Sequence, residues 1–206
     1  MLVVYTKMDA PSPDFVRREE ALGNLVWHVP ALEFRRTGIL PDLKGFDAAF
    51  VASPRAAVIA ADALAHFEGA VFAAGAGSAQ VLLQRGISVS IAGSGNGAEM
   101  DFPGFLKKFP VRRIAWISAR RTAADWRAIA LRCAVAIEHF PVYETFPAVV
   151  DEEKLSTLKH PVEWRFFSGM AVEAFKRFIR DEDRVTLHGA SAEKAFGRGT
   201  GERRSV

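Results

Sequence analysis

The stretch "PVYETFP" (residues 141–147) sets a tyrosine between two prolines, in a chain of 206 residues that has two tyrosines. A similar segment, "HVPALEF", occurs at residues 28–34. Proline has no N–H to donate to a β-ladder, so each segment is predicted to be a strand that bends or lies at a sheet edge. Eight extended residues span more than about 20 Å, which is long enough to connect two lobes.

Outward from these segments, apolar strand patterns alternate with stretches of helical length. Strands are predicted, among other places, at "LVVYT" (2–6), "FDAAFVAS" (46–53), "RRIAWIS" (112–118) and "EWRFFS" (163–168). Helices are predicted between the strands, for example over 55–66, 79–86 and 122–132. This alternation is typical of parallel sheets built from βαβ crossovers, whose ligands bind at the carboxyl ends of the strands. The predicted fold class is therefore α/β.

Two kinds of strand–helix motif occur in the order A, B, A, B. In motif A, "VVYT" (3–6) corresponds to "AWIS" (115–118); in motif B, "FVASPRAA" (50–57) corresponds to "RFFSGMAV" (165–172). Two arrangements fit: tandem domains, or an outer lobe made from both chain ends around an inner lobe. The long proline-bearing segments favour the second. Its outer lobe comprises 1–33 and 148–206, its inner lobe 37–139, and its connectors lie near 30–36 and 140–147.

Composition and charge argue against several classes of protein. The formal net charge is +3, and the basic residues occur as scattered pairs instead of the clustered face of a nucleic-acid-binding domain. Cys133 is the single cysteine, so no disulfide framework is possible, and no Cys/His spacing suits a metal. No apolar run reaches the length of about 18 residues that a membrane helix needs. We expect a monomeric, cytoplasmic protein with no metal, no membrane span and no nucleic-acid partner.

Seven segments together resemble uroporphyrinogen-III synthase, in order and over nearly the whole chain: "VVYTK", "VPALEF", "FDAAFVASPRAA", "GAGSAQVLLQRG", "FPVYETFP", "FFSGMAVEAF" and "HGASAEKAFGRG". The resemblance implies two flavodoxin-like lobes, each a parallel sheet flanked by helices, joined by a two-stranded connector with the active site in the cleft between them. It also implies cyclisation of the linear tetrapyrrole hydroxymethylbilane, with inversion of ring D, in heme biosynthesis. The family uses no metal and no organic cofactor. The partner that the resemblance implies is a small polycarboxylate substrate.

The candidate site residues combine strand ends with this resemblance. Tyr143 is expected on the connector as the acid that helps the substrate hydroxyl depart, because a phenol donates a hydrogen bond without carrying charge. Hydroxyl side chains at strand-to-helix turns are predicted to bind substrate or to cap helices: Thr6, Ser53, Ser78, Ser118, Ser168 and Ser191. The predicted binding set also includes Lys7 (where the family usually has arginine), Arg55, Arg120 and Gly189. Solvated surface is the alternative for both arginines.

Two features depart from the family pattern. Members usually continue past the last glycine-containing segment with a further strand and helix, whereas seven mostly polar residues follow Gly199 here. The spacing from glycine to serine in "HGASA" (Gly189 to Ser191) is also one residue shorter than in "GAGSA" (Gly75 to Ser78). The alternative function is therefore a degenerate, non-catalytic bilobed protein that binds a small anion. The "GNG" at 95–97 is expected to form a plain turn.

Overall fold

The computed structural model describes residues 1–95, 101–122 and 124–197. These residues group into two compact units, which we name by position. The terminal unit comprises Met1–Glu33 and the described residues from Phe146 onward; the central unit comprises Phe34–Thr145. That the chain forms two lobes and two connectors with the boundaries expected from the sequence stays a prediction. Most of the turn expected at 95–97, and all of the segment after Gly199, lie outside the described residues.

Strands and helices alternate along the chain, as the sequence predicts, apart from three successive strands between residues 25 and 51. In chain order they are β1 (Leu2–Tyr5), α1 (Pro13–Ala21), β2 (Leu25–His28), β3 (Leu32–Arg36), β4 (Ala48–Val51), α2 (Pro54–Ala65), β5 (Ala70–Ala73), α3 (Ala76–Leu83), β6 (Ile91–Ala92), α4 (Phe102–Lys108), β7 (Arg113–Ala119), α5 (Trp126–Cys133), β8 (Ala136–Pro147), α6 (Glu152–Ser156), β9 (Val162–Phe166), α7 (Gly169–Phe175), β10 (Arg184–Leu187) and α8 (Ala190–Gly197).

The terminal unit is built on a four-stranded parallel sheet in the order β10–β9–β1–β2. Trp164 and Phe166 on β9 are fully buried and pack with Val172 and Phe175 of α7. On α1, the ring of Phe15 lies 5.0 Å from the ring of Tyr5 on β1. Burial of these large apolar side chains is the main force that holds the helices on the sheet.

The central unit is built on a six-stranded sheet in the order β3–β8–β7–β4–β5–β6. Neighbouring residues of β4 point to opposite sides, as in any strand. Val51 belongs to a core cluster that contains alanines of α2, whereas Phe50 packs with Phe102 of α4 in a separate cluster. The sheet therefore carries helices on both faces. The mixed α/β class with parallel sheets flanked by helices is confirmed.

The end of β8 runs antiparallel to β3. The Thr37 amide bonds the Val142 carbonyl, and the Ala148 amide bonds the Ala31 carbonyl, so residue numbers rise on one strand as they fall on the other. The pairing of β8 with β7 is parallel, and its register shifts beside the proline: Ser118 lies opposite Pro141, but Ala119 lies opposite Tyr143. This shift is a β-bulge, with one additional residue on β8.

Candidate functional site

Tyr143 lies on β8, and its ring is buried in the core of the central unit. Its hydroxyl oxygen is 3.0 Å from Oγ of Ser53, and either atom is able to donate. The ring of Phe34 meets the tyrosine ring edge-on, with 6.3 Å between centroids. The phenol is therefore fixed in one orientation by packing on its faces and a hydrogen bond at its tip.

Ser53 owes its position to the start of α2. Its backbone is extended, Pro54 follows at the first helical position, and Oγ accepts the Ala56 amide at 3.1 Å. A serine cap followed by proline is a strong helix-start signal. Ser53 therefore caps the helix and contacts the phenol at the same time; its role in substrate binding stays a prediction.

Arg55 brings a cation to the same cluster. Its guanidinium carbon lies 4.1 Å from the centroid of the Phe34 ring and 5.6 Å from that of Tyr143. A guanidinium over an aromatic face is held by cation–π attraction without losing its charge. The predicted residues Ser53, Arg55 and Tyr143 thus come together in the structure.

Arg120 also belongs to this region, through its main chain and its side chain. The Arg120 amide donates to the Tyr143 carbonyl at 2.7 Å. Its Nε lies 3.1 Å from one carboxylate oxygen of Glu144, whose other oxygen accepts from Arg35 at 2.7 Å. The hydrogen bond from Arg35 lowers the pKa of Glu144, against the smaller raising effect of burial, and the charges of both arginines add to the lowering. Neither Glu144 nor Arg35 was among the predicted residues.

Ser118 lies within β7 instead of at its end, and it is buried. Its hydroxyl lies 2.9 Å from the Ala119 carbonyl and 2.8 Å from Nε2 of His139 on β8. Burial lowers the pKa of His139, and this effect exceeds the raising effect of the Ala119 carbonyl. The hydroxyl predicted to bind substrate is instead bonded inside the central unit.

In the terminal unit, Thr6 and Lys7 follow β1. The Thr6 side chain is buried and donates to the Arg165 carbonyl at 2.8 Å. Lys7 is exposed, and its carbonyl accepts from Nε2 of His28 at 2.8 Å. Lys7 is therefore able to meet an anion through its side chain, whereas the Thr6 hydroxyl ties two neighbouring strands together.

Ser168 and Ser191 line one groove of about 590 Å³ between α7 and α8. Ser168 caps α7 and accepts the Ala171 amide at 3.2 Å. Ser191 lies inside α8, just after Gly189, whose φ of +90° favours glycine. Lys194 and Glu173 also line the groove. The structure therefore brings Ser168 and Ser191 together, with Gly189 at the turn that leads into α8.

The predicted start of the helix after Ser78 is wrong. Helix α3 begins at Ala76, after Gly75, and not at 79 as the sequence suggested. Ser78 consequently lies in the first turn of the helix, where it is 3% exposed. A side chain so buried has little surface for a substrate.

Within the described ranges, no three His, Cys, Asp or Glu side chains are grouped so that they could hold a metal ion. No helix in that part of the chain is long and apolar enough to cross a membrane.

Comparison with known proteins identifies the family. The family model described as uroporphyrinogen-III synthase HemD matches residues 14–199. The chain belongs to the uroporphyrinogen-III synthase family. Membership supports a role in tetrapyrrole biosynthesis and implies a small-molecule tetrapyrrole substrate. A comparison with curated protein sequences finds no match.

Solved structures of this family share the fold. A uroporphyrinogen-III synthetase from Helicobacter pylori is 14% identical, with a TM-score of 0.67 over 96% of this chain and 89% of that one. A mutant uroporphyrinogen III synthase from Thermus thermophilus is 16% identical, with a TM-score of 0.58 over 96% of this chain and 88% of that one. At such identities the likeness establishes the fold.

Proposed function

We propose that this chain is an active uroporphyrinogen-III synthase, which cyclises hydroxymethylbilane with inversion of ring D and releases water. The observation that carries the proposal is the contact of 3.0 Å between the Tyr143 phenol and Ser53 Oγ at the start of α2. Family membership supplies the reaction class. The hydrogen-bonded phenol supplies a group suited to its first step.

The reaction depends more on how the enzyme orients the substrate than on a strong nucleophile of the enzyme. The hydroxyl of hydroxymethylbilane leaves as water, and an electrophilic azafulvene remains. Ring D then attacks through its substituted carbon to give a spiro intermediate, which fragments and closes the other way round. The uncatalysed substrate cyclises without inversion. The enzyme therefore has to orient the chain and assist proton transfer.

A short relay of hydrogen bonds suits the departure of the hydroxyl. The Ala56 amide at the positive end of α2 donates to Ser53 Oγ. The Ser53 hydroxyl then donates to the Tyr143 oxygen, and Tyr143 donates to the leaving hydroxyl. Each bond polarises the next, so the phenol becomes a better acid. The Tyr143 proton becomes the second hydrogen of the water, and the pyrrole N–H then gives its proton to the phenolate, which restores the phenol and leaves the neutral azafulvene.

The substrate carboxylates need cations and N–H donors. We propose Lys7, Arg55 and Arg120 for the first role, and the helix-start groups around Ser168, Gly189 and Ser191 for the second. Exposed N–H groups and the positive end of a helix favour carboxylates. Thr6 and Ser118 act indirectly in this scheme, by fixing strand ends. We also propose a cytoplasmic monomer that needs neither a metal nor an organic cofactor.

The proposal is tested by supplying hydroxymethylbilane and measuring the ratio of the III to the I isomer of uroporphyrinogen. We expect the III isomer to dominate at a rate proportional to protein concentration. Formation of the I isomer alone, at the spontaneous rate, would refute the enzyme. If the protein then still binds uroporphyrin, the alternative of a non-catalytic anion-binding member of the family is favoured.

Replacing Ser53 with alanine is expected to slow formation of the III isomer by about tenfold, because the phenol loses the donor that polarises it. Loss of the helix cap should also lower the free energy of unfolding by about 1 kcal/mol. Steady-state kinetics and urea unfolding measure the two effects. Ser12→Ala is the matched control, since Ser12 caps α1 through the Phe15 amide at 3.2 Å. Equal slowing in both variants would assign the loss to stability.

A further inference from the structure

Glu144 holds two arginines that come from different parts of the central unit. Arg35 lies on β3 and Arg120 follows β7, and each contacts a separate oxygen of the same carboxylate, at 2.7 and 3.1 Å. Arginine matches a carboxylate with directed N–H groups, and such pairs are the stronger class of hydrogen bond. The arrangement is therefore an already assembled carboxylate-binding site, with a carboxylate of the protein in it.

The exposure of the three side chains differs in an informative way. The Glu144 side chain is 27% exposed, whereas those of Arg35 and Arg120 are 73% and 57% exposed. The two guanidinium groups thus present most of their surface to solvent while the carboxylate between them is more sheltered.

The charge of this trio also favours an incoming anion. Two guanidinium groups and one carboxylate sum to one net positive charge. The pKa of Glu144 is lowered by its hydrogen bond to Arg35, so the carboxylate is ionised at neutral pH. Any added carboxylate is attracted by the two arginines but repelled by Glu144. The resident carboxylate therefore weakens anion binding at this place.

We propose that Arg35 and Arg120 form a binding site for a substrate carboxylate, and that Glu144 is the resident counter-ion that the substrate displaces. The site adjoins the main chain of the proposed acid: Glu144 follows Tyr143 in the chain, and the Arg120 amide donates to the Tyr143 carbonyl. The nature of the ligand rests on the proposed function, which makes the substrate a tetrapyrrole polycarboxylate.

Displacement of a resident carboxylate selects for ligands with many carboxylates. A monocarboxylate has to compete with Glu144, which is attached to the site and therefore has a high effective concentration. A polycarboxylate that is already bound to other cations of the protein presents its next carboxylate at a similarly high effective concentration, so it is able to compete with Glu144. Glu144 thus acts as a specificity-determining residue: it excludes small anions and keeps polycarboxylate binding reversible.

The test is a fluorescence titration with uroporphyrin I, a porphyrin polycarboxylate, at fixed ionic strength. Glu144→Gln keeps the shape of the side chain and raises the local charge from one to two positive units. We expect it to bind uroporphyrin about fivefold more tightly, and to let acetate compete at lower concentration. The matched control is Glu138→Gln on the same strand, where Glu138 lies 3.7 Å from Arg113. Its affinity should stay within about twofold of the native value.

Unchanged or weaker binding by Glu144→Gln would mean that Glu144 only ties β3 to β8, and would overturn the inference. Should that variant fail to fold, Arg35→Gln and Arg120→Gln decide the question. Each is expected to weaken uroporphyrin binding about fivefold, and no loss in either variant would overturn the inference as well. The isomer assay on the native protein separates the two proposals. If the III isomer forms but Glu144→Gln binds no more tightly, only this inference fails.

Discussion

Replacing Tyr143 with phenylalanine should slow formation of the III isomer by about 100-fold, the usual contribution of a positioned general acid. The substitution removes one oxygen and leaves the ring, so the contacts with Phe34 and Arg55 remain. Ser53 still caps α2 through the Ala56 amide. Spontaneous closure to the I isomer continues, so the product ratio should shift toward the I isomer. Single-turnover kinetics with product separation measures both effects.

The other tyrosine provides a control with the same chemistry. Tyr5 and Tyr143 are equally exposed, at 7% each, and Tyr5 lies on β1 of the terminal unit. Tyr5→Phe should keep the native rate and isomer ratio. If Tyr143→Phe is as fast as the native protein, or if both variants are equally slow at equal stability, Tyr143 is not the acid.

The second large effect is expected on stability, at Asp183. This carboxylate is fully buried by its surroundings, with 0% of its side chain exposed. Four groups contact it: Nδ1 of His160 at 2.7 Å, the Val162 and Arg180 amides at 2.9 and 2.8 Å, and the Trp164 indole at 3.1 Å. Asp183→Ala leaves buried donors without a partner and should lower the free energy of unfolding by about 3 kcal/mol. Urea unfolding measures the loss.

The contribution of Asp183 to stability should depend on pH in the acid range. Burial by itself would raise the pKa of Asp183, but the hydrogen bonds from Arg180, Val162, His160 and Trp164 outweigh it and lower the pKa below the ordinary value of 3.8. The folded protein thus holds the ionised form better than the unfolded chain does. Its stabilising effect is fully present above the unfolded pKa and is lost as the pH falls through the folded one.

The difference in stability between native protein and Asp183→Ala should therefore be constant near neutral pH and shrink below about pH 4. Glu182→Ala is the control, because Glu182 is exposed and adjacent in sequence. A loss in Glu182→Ala equal to that in Asp183→Ala, or a difference that grows on acidification, would contradict this account of Asp183.

The sequence predicted the fold class well because βαβ alternation depends on local patterns. Short apolar runs, a serine before Pro54 and glycines after helices each indicate an element without reference to the rest of the chain. The irregularity expected from Pro141 is also present, as the bulge in β8. Boundaries were less accurate. Helix α5 begins at Trp126 behind an Asp125 cap, four residues later than the predicted start at 122.

The partners of the site residues were beyond reach of the sequence, because they depend on strand register. Ser53 and Tyr143 are 90 positions apart, and Arg35 and Glu144 are 109 apart. In the sequence, Arg35–Arg36 is one of several scattered basic pairs, and nothing near Glu144 in the chain indicates its arginine partners. An antiparallel pairing of the two proline-bearing segments would have set Arg35 against Glu144. That was the one signal that could have led to the arginine pair.

The additional residue in β8 determines on which face of the sheet the Tyr143 side chain lies. Counting by twos from Ile137, which packs with the core around α4 and α5, assigns Tyr143 to that same side. The bulge breaks this alternation, so that Val142 and Tyr143 both pack in the core on the opposite face, where Ser53 caps α2. A graft of "PVYETFP" onto a regular strand would therefore keep the sequence of the motif but place the tyrosine side chain on the face of the sheet opposite Ser53.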